Sequence, residues 1–143
     1  MALFQLVYMS SLVKDEPEIL AAILDSSERN NKRNNITGMM SYSDGNVMQV
    51  LEGEKETVLK TYQAVQMDLR HYDIFLLLDE EIATRIFASW SMGFRQISTA
   101  DMQEFPLAAN VFKVGPSEIA LRVQPSDVLI ILKSFADGSM GIS

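Results

Sequence analysis

An alternating segment near the start of the chain limits most strongly what this protein can fold into. Residues 3–10 read LFQLVYMS and alternate with the period of a β-strand. One face of the strand would carry Phe4, Leu6, Tyr8 and Ser10, and the other face Leu3, Gln5, Val7 and Met9. Because apolar side chains occur on both faces, we expect this strand to be central in a sheet that is covered on both sides.

The segment that follows predicts a helix and then a β-hairpin. Asp15, Glu16 and Pro17 are typical of a helix start, since acids suit the positive end and proline suits the first turn. The apolar stripe of this helix consists of Ile19, Leu20, Ile23 and Leu24. The helix should end in the polar stretch 30–35. Strands over 36–43 and 47–52 would then be joined by a turn at Asp44–Gly45.

A second helix is predicted over about 55–69, followed by two more strands. Its apolar residues are spaced four, three and four apart: Val58, Tyr62, Val65 and Leu69. Ile74–Leu78 indicates a buried strand, and Ser91–Ile97 indicates another. The order of elements predicts an α+β, ferredoxin-like fold with one extra strand, hence a five-stranded mixed sheet with two helices on one face. The tail should cover the other face, with a short helical stretch in 100–123 and a helix capped by Ser126 and running through Phe135.

Composition excludes several classes of function. The 143 residues suffice for one domain with a real core, and the chain contains no cysteine and one histidine. Thiolate chemistry and histidine-rich metal centres are therefore excluded. A net charge of −7 argues against broad binding to nucleic acid or to anionic membrane. The first residues lack the features of a signal peptide and no apolar run approaches a membrane span, so we expect a cytoplasmic protein.

Two buried polar side chains are the first candidates for function. Tyr8 and Gln49 are both predicted on the sheet face beneath the helices, where a phenol and a carboxamide each need a hydrogen-bond partner. They could serve as a structural pair or belong to a ligand site. Asn30 and Asn31 suit a helix end as well as the edge of a planar ligand. The same ambiguity holds for the end of the second helix, with Asp68, Arg70 and His71.

Read together, these positions resemble the BLUF family, the blue-light sensors that use flavin. The matching segments, in order, are LVYMSS, SSERNNKRNNITG, MSYSDG, MQVLEGE, MDLRHY and FASWSM. The resemblance covers about residues 1–97, which would form the flavin-binding domain, and leaves 98–143 as a helical extension packing on the sheet. The chain also resembles the short, stand-alone members of the family, which end in a brief helical extension and carry no fused enzyme domain.

The resemblance implies a role for each matching residue. Tyr8 and Gln49 correspond to the photoactive pair beside the flavin, with Trp90, Met92 and Ser10 as further members of the photoactive group. The positions that correspond to flavin contacts are Ile23, Asn30, Asn31, Gln49, Val65, Asp68, Arg70 and His71. The implied cofactor is FAD, although the sequence does not separate FAD from FMN or riboflavin. The implied function is blue-light sensing through electron and proton transfer from Tyr8 and a hydrogen-bond rearrangement of Gln49.

The resemblance also implies partners, and two other classes of function stay open. A downstream signalling protein is expected, such as a response regulator or a cyclic-nucleotide enzyme, together with a homo-oligomer of this chain. One alternative is a cofactor-free ferredoxin-like interaction module, which would purify colourless and take up no added flavin. The other is a flavoprotein enzyme, which would show bleaching of the flavin by a substrate. The sequence offers no nicotinamide site and no catalytic thiol, so we expect no enzyme.

Overall fold

The structure, a computed structural model, describes residues 2–89, 91–98, 100 and 103. Its seven elements follow the predicted order: β1 (Leu3–Leu12), α1 (Pro17–Arg33), β2 (Thr37–Ser43), β3 (Asn46–Glu54), α2 (Lys55–Gln66), β4 (His71–Ile82) and β5 (Gly93–Gln96). Apart from residues 100 and 103, the helices predicted within 100–123 and from Ser126 to Phe135 lie outside the described residues.

The five strands form one mixed sheet in the order β4-β1-β3-β2-β5. Neighbouring strands are antiparallel except β2 and β5, which run parallel. The connection between β4 and β5, called the crossover below, leads from one edge of the described sheet to the other. The predicted fold class, a ferredoxin-like α+β fold with a five-stranded mixed sheet, is confirmed.

Strand β1 lies between β3 and β4 and is buried from Phe4 to Leu12, as a central strand should be. Both helices pack on the same sheet face. The core on that face is built from side chains of the sheet and of both helices: Phe4, Leu6, Tyr8, Leu12, Ile23, Met40, Val47, Leu51 and Val58. The opposite face of the sheet also buries apolar side chains, among them Val7, Met9, Met48 and Val50.

Two glycine positions show why the β2–β3 hairpin has this sequence. Asp44 and Gly45 have φ angles of 51° and 86°, which is the left-handed pair that a two-residue hairpin turn needs. The predicted turn is therefore confirmed. Gly38 lies where β2 approaches β3 so closely that a Cβ atom would sit 1.9 Å from the carbonyl oxygen of Val50. Any side chain at Gly38 would collide with the backbone of the neighbouring strand.

Two expectations about the segment that follows β3 are wrong. Ile74–Leu78 was expected to be a buried strand, yet β4 forms an edge of the described sheet and His71 is its buried residue. Leu69 was expected in the apolar stripe of α2, but this helix ends at Gln66 and the Leu69 side chain is 90% exposed. Once the helix has ended, helical spacing no longer decides which way a side chain points.

Neither α1 nor α2 combines the length and the apolar character that a membrane crossing would require.

Candidate functional site

A cavity of about 280 Å³ opens between the two helices, with the sheet beneath it. Gln49 of β3 reaches it from the sheet. The C-terminal half of α1 lines one side with Ser26, Ser27, Asn30, Asn31, Arg33 and the adjoining Asn34. The other side is lined from α2 onward by Lys60, Thr61, Ala64, Val65, Asp68 and Arg70. Most of the residues that line it are polar, whereas empty packing defects in a core are lined by apolar residues.

Tyr8 and Gln49 lie directly opposite each other on β1 and β3, on the sheet face beneath the helices. The Tyr8 hydroxyl donates a hydrogen bond to Oε1 of Gln49. The other end of the carboxamide, Nε2, lies 3.7 Å from Sδ of Met92 and donates a weaker bond to it. Gln49 therefore connects the tyrosine to Met92 while its side chain also lines the cavity.

The phenol of Tyr8 is held in its neutral form. Burial raises the pKa of Tyr8 well above its usual range, and the neighbouring Tyr62 and Asp68 add to the rise. The Tyr62 ring is tilted against the Tyr8 ring, with 5.4 Å between the centroids. A neutral phenol donates a hydrogen bond, so in this arrangement the Gln49 carboxamide oxygen must be the acceptor.

Asn31 and Asn30 occupy different positions at the cavity. Asn31 is buried, and its Nδ2 donates a hydrogen bond of 2.9 Å to the carbonyl oxygen of Ser91. Asn30 is exposed, and its Oδ1 accepts a bond of 2.5 Å from Nη2 of Arg33. Asn31 thus ties the end of α1 to the crossover, whereas Asn30 stands at the mouth of the cavity.

Asp68 and Arg70 form a rigid corner where the chain leaves α2. Nη2 of Arg70 lies 2.6 Å from Oδ2 of Asp68, and Nε lies 2.9 Å from Oδ1. This pairing, more than the partial burial that opposes it, lowers the pKa of Asp68. Arg70 also donates to Oγ of Ser26 at 3.2 Å, so it links the two helical sides of the cavity.

Three of the residues predicted for the site are not among those that line the cavity. Ile23 belongs to the core beneath α1 and is not part of the cavity wall described above. Ser10 and His71 are also absent from the cavity lining, and Ser10 Oγ lies 3.0 Å from His71 Nδ1. Burial lowers the pKa of His71, with the nearby Asp68 opposing this effect, so the ring is neutral at pH 7. Trp90 lies outside the described residues.

Sequence reasoning missed several lining residues, although the sequence contains a signal for them. Positions 26, 27, 30, 31 and 34 follow one another at helical spacing on α1 and its C-cap. Positions 60, 61, 64, 65 and 68 repeat that spacing on and beyond α2. Small and polar residues in such a stripe resemble an ordinary solvent-exposed face, so a pocket shows only when the two stripes are considered together.

A comparison with known families shows to which family the chain belongs. The family model BLUF, described as "Sensors of blue-light using FAD", matches residues 3–93. The chain belongs to the BLUF family. This confirms the resemblance found from the sequence, and the cofactor of the family is FAD. The family description concerns sensing and names no enzymatic reaction.

Curated relatives of this BLUF protein join the domain to longer chains. The blue light- and temperature-regulated antirepressor BluF of Escherichia coli is 29% identical over 117 residues, which are 81% of this chain and 28% of the relative. The photoactivated adenylate cyclase subunit beta of Euglena gracilis is 29% identical over 89 residues, covering 61% of this chain and 10% of the relative. The chain therefore spans less than a third of either curated relative.

Solved BLUF structures resemble the chain over nearly its whole length. The photo-activated state of BlsA superposes with a TM-score of 0.78 at 27% identity and covers 94% of both chains. The dark state of BlrB gives a TM-score of 0.76 at 24% identity, covering 96% of this chain and 97% of that one. At that identity, BlrB supports the fold alone.

The cavity fits the ring system of FAD in its size and in its chemistry. Its 280 Å³ is close to the lower end of the roughly 300–1,000 Å³ that ligand pockets occupy. The carboxamides of Asn31 and Gln49 offer both donors and acceptors, as the polar edge of a flavin ring requires. Val65 supplies an aliphatic surface from α2 against which a flat ring can pack. The residues of the cavity therefore suit a flavin held without covalent attachment.

Proposed function

We propose that this BLUF protein is a blue-light photoreceptor in which Tyr8 and Gln49 form the light-switchable pair. The observation that carries the proposal is the hydrogen bond from the buried Tyr8 hydroxyl to Gln49, whose side chain also lines the cavity. Asn31, Val65, Asp68 and Arg70 would hold the ring, and Asn30 would contact it at the mouth. Ile23 and His71, one layer further away, are proposed to support these contacts.

FAD, when bound, absorbs blue light and in the excited state becomes a strong oxidant. Tyr8 would then pass one electron and its hydroxyl proton to the excited flavin, and would later take both back. In the dark Gln49 accepts a hydrogen bond from Tyr8. It rotates or tautomerises while the electron and the proton are away from Tyr8. Its carboxamide ends with a different set of partners, so the contact with Met92 changes as well.

The resulting signal is small. Rearranging one or two buried hydrogen bonds is worth about 1 kcal/mol each, which changes a balanced equilibrium several-fold and does not refold a domain. We propose that the change is passed on through Met92, Trp90 and Ser10 to another protein in the cytoplasm, such as a response regulator or a cyclic-nucleotide enzyme. The names of the relatives, an antirepressor and a photoactivated adenylate cyclase, support a signalling partner. We also propose that the protein forms a homo-oligomer, and light scattering would measure the number of its subunits.

The proposal is tested by absorption spectra of the flavin-loaded protein before and after blue light. We expect a small, reversible red shift in the wild type. Tyr8→Phe and Gln49→Leu should each abolish the shift while flavin stays bound. Tyr62→Phe is the matched control. It removes the same hydroxyl group from a half-buried tyrosine that packs against Tyr8 but lies on α2. A normal shift in either Tyr8→Phe or Gln49→Leu would refute the proposed roles.

A further inference from the structure

Glu52 is a buried acid on the side of the sheet away from the cavity. It follows Met48 and Val50 on one face of β3, whereas Gln49 and Leu51 occupy the other face. Its exposed fraction is 0%. Carboxyl groups are seldom buried so completely unless donors satisfy them. Glu52 therefore calls for an explanation that its position near a strand end does not supply.

The donors to Glu52 come chiefly from the crossover between β4 and β5. The backbone N–H of Ile86 donates to Oε2 and the backbone N–H of Phe87 donates to Oε1, both at 2.9 Å. Two consecutive backbone groups are thus bound by the two oxygens of one carboxyl group. Gln5 Nε2 donates to Oε2 at 3.1 Å, and Thr37 Oγ1 lies 3.5 Å from Oε1.

Arg85 fastens the same part of the crossover to the ends of two strands. Its Nη1 donates to the carbonyl oxygen of Glu52 at 3.0 Å and to Thr37 Oγ1 at 2.9 Å. Its Nη2 donates to the carbonyl oxygen of Asn35 at 2.9 Å. The crossover is therefore anchored at three consecutive residues, and two of these anchors involve the Glu52 carboxyl group.

The other end of the crossover reaches the cavity. The carbonyl oxygen of Ser91 accepts from Asn31, and Met92 accepts from Gln49. Only a few residues separate Phe87 from Ser91, so a fixed position at Phe87 restricts where Ser91 and Met92 can lie. The crossover thus connects the Glu52 side of the sheet with the side that carries Gln49.

We propose that Glu52 is a positioning residue that holds Met92 against Gln49 by anchoring Ile86 and Phe87. This inference rests on the proposed photoreceptor function. A side chain rotates more slowly when its neighbours are held in place than when they are mobile, because closely packed neighbours must move before the side chain can turn. Glu52 therefore slows the return of Gln49 from its light-induced arrangement and lengthens the lit state.

The test compares Glu52→Gln with Glu54→Gln in the flavin-loaded protein. Both variants replace an acid of the same strand, but Glu54 is exposed. In Glu52→Gln the new NH₂ group meets a backbone N–H, so at least one of the two anchoring bonds is lost. We expect the rate constant of dark recovery to rise about three- to tenfold, and amide exchange at Ile86 and Phe87 to rise about tenfold. Glu54→Gln should match the wild type in both measurements.

A purely structural role would give a different result. If Glu52→Gln lowers the melting temperature or loosens the two amides but recovers at the wild-type rate, the inference is overturned. Should Glu52→Gln fail to fold, Arg85→Lys keeps the charge and loosens the adjoining anchor of the same crossover, and it must also speed recovery. A wild type that shows no light-induced shift would instead refute the photoreceptor proposal, so the two failures are distinguishable.

Discussion

The hydrogen bond between Tyr8 and Gln49 can be measured as a coupling free energy in the dark. Tyr8→Phe keeps the ring and removes the donor, which leaves Oε1 of the buried Gln49 without its partner. A buried polar group left unpaired costs about 1–3 kcal/mol. Taking about 2 kcal/mol, the melting temperature of a chain of this length falls by roughly 4–8 °C. Gln49→Leu leaves the Tyr8 hydroxyl without its acceptor and should lower the free energy of unfolding by a similar amount.

The double variant distinguishes a real pair from two independent residues. With both polar groups replaced by apolar groups of similar shape, neither is left unpaired, so the two losses should not add. We expect a coupling free energy of about 1–3 kcal/mol between the two positions. Urea unfolding at one fixed, saturating flavin concentration gives the cycle, because bound ligand raises the apparent stability. Strictly additive losses would refute the pairing on which the proposed photochemistry depends.

Two further predictions concern stability. Gly38→Ala should lower the free energy of unfolding by at least about 2 kcal/mol, because its Cβ would meet the Val50 carbonyl at 1.9 Å. Gly53→Ala, whose nearest contact is 3.3 Å, should cost clearly less, and equal losses in urea unfolding would contradict this reasoning. Burial lowers the pKa of His71, so the unfolded chain binds the proton more readily. The contribution of His71 to the free energy of unfolding should therefore be complete above about pH 6.5, the ordinary pKa of histidine. It should be lost as the pH falls through the lowered pKa of the folded state. His71→Gln should flatten that pH dependence, and an unchanged slope would contradict the assignment.

Local sequence patterns were sufficient to predict the side of the cavity that the sheet forms. Alternation along residues 3–10 and 47–52 placed Tyr8 and Gln49 on one face, and turn chemistry at Asp44–Gly45 joined the hairpin. These features are local because side-chain direction in a strand depends only on parity. The hydrogen bond itself depends on the register between β1 and β3, which neither strand encodes alone.

What sequence reasoning missed depends on long-range arrangement. An apolar run such as Ile74–Leu78 fits a central strand and an edge strand equally, since its place in the sheet depends on where other strands pair. No role for Glu52 was predicted from the sequence. Its burial arises from Ile86 and Phe87, more than thirty positions further along the chain. No short window contains both partners.

The position of β4 at the edge of the described sheet bears on aggregation. A strand of 12 residues with an open edge is a template on which strands of other molecules could add, and fibrils grow in this way. The pairing of β4 with β1 shifts register between Val7 and Tyr8 and again between Met9 and Ser11, which makes the edge uneven. Acidic side chains at Asp79, Glu80 and Glu81 repel a like strand. Replacing these acids with neutral residues should make the β4 edge a site from which fibrils grow.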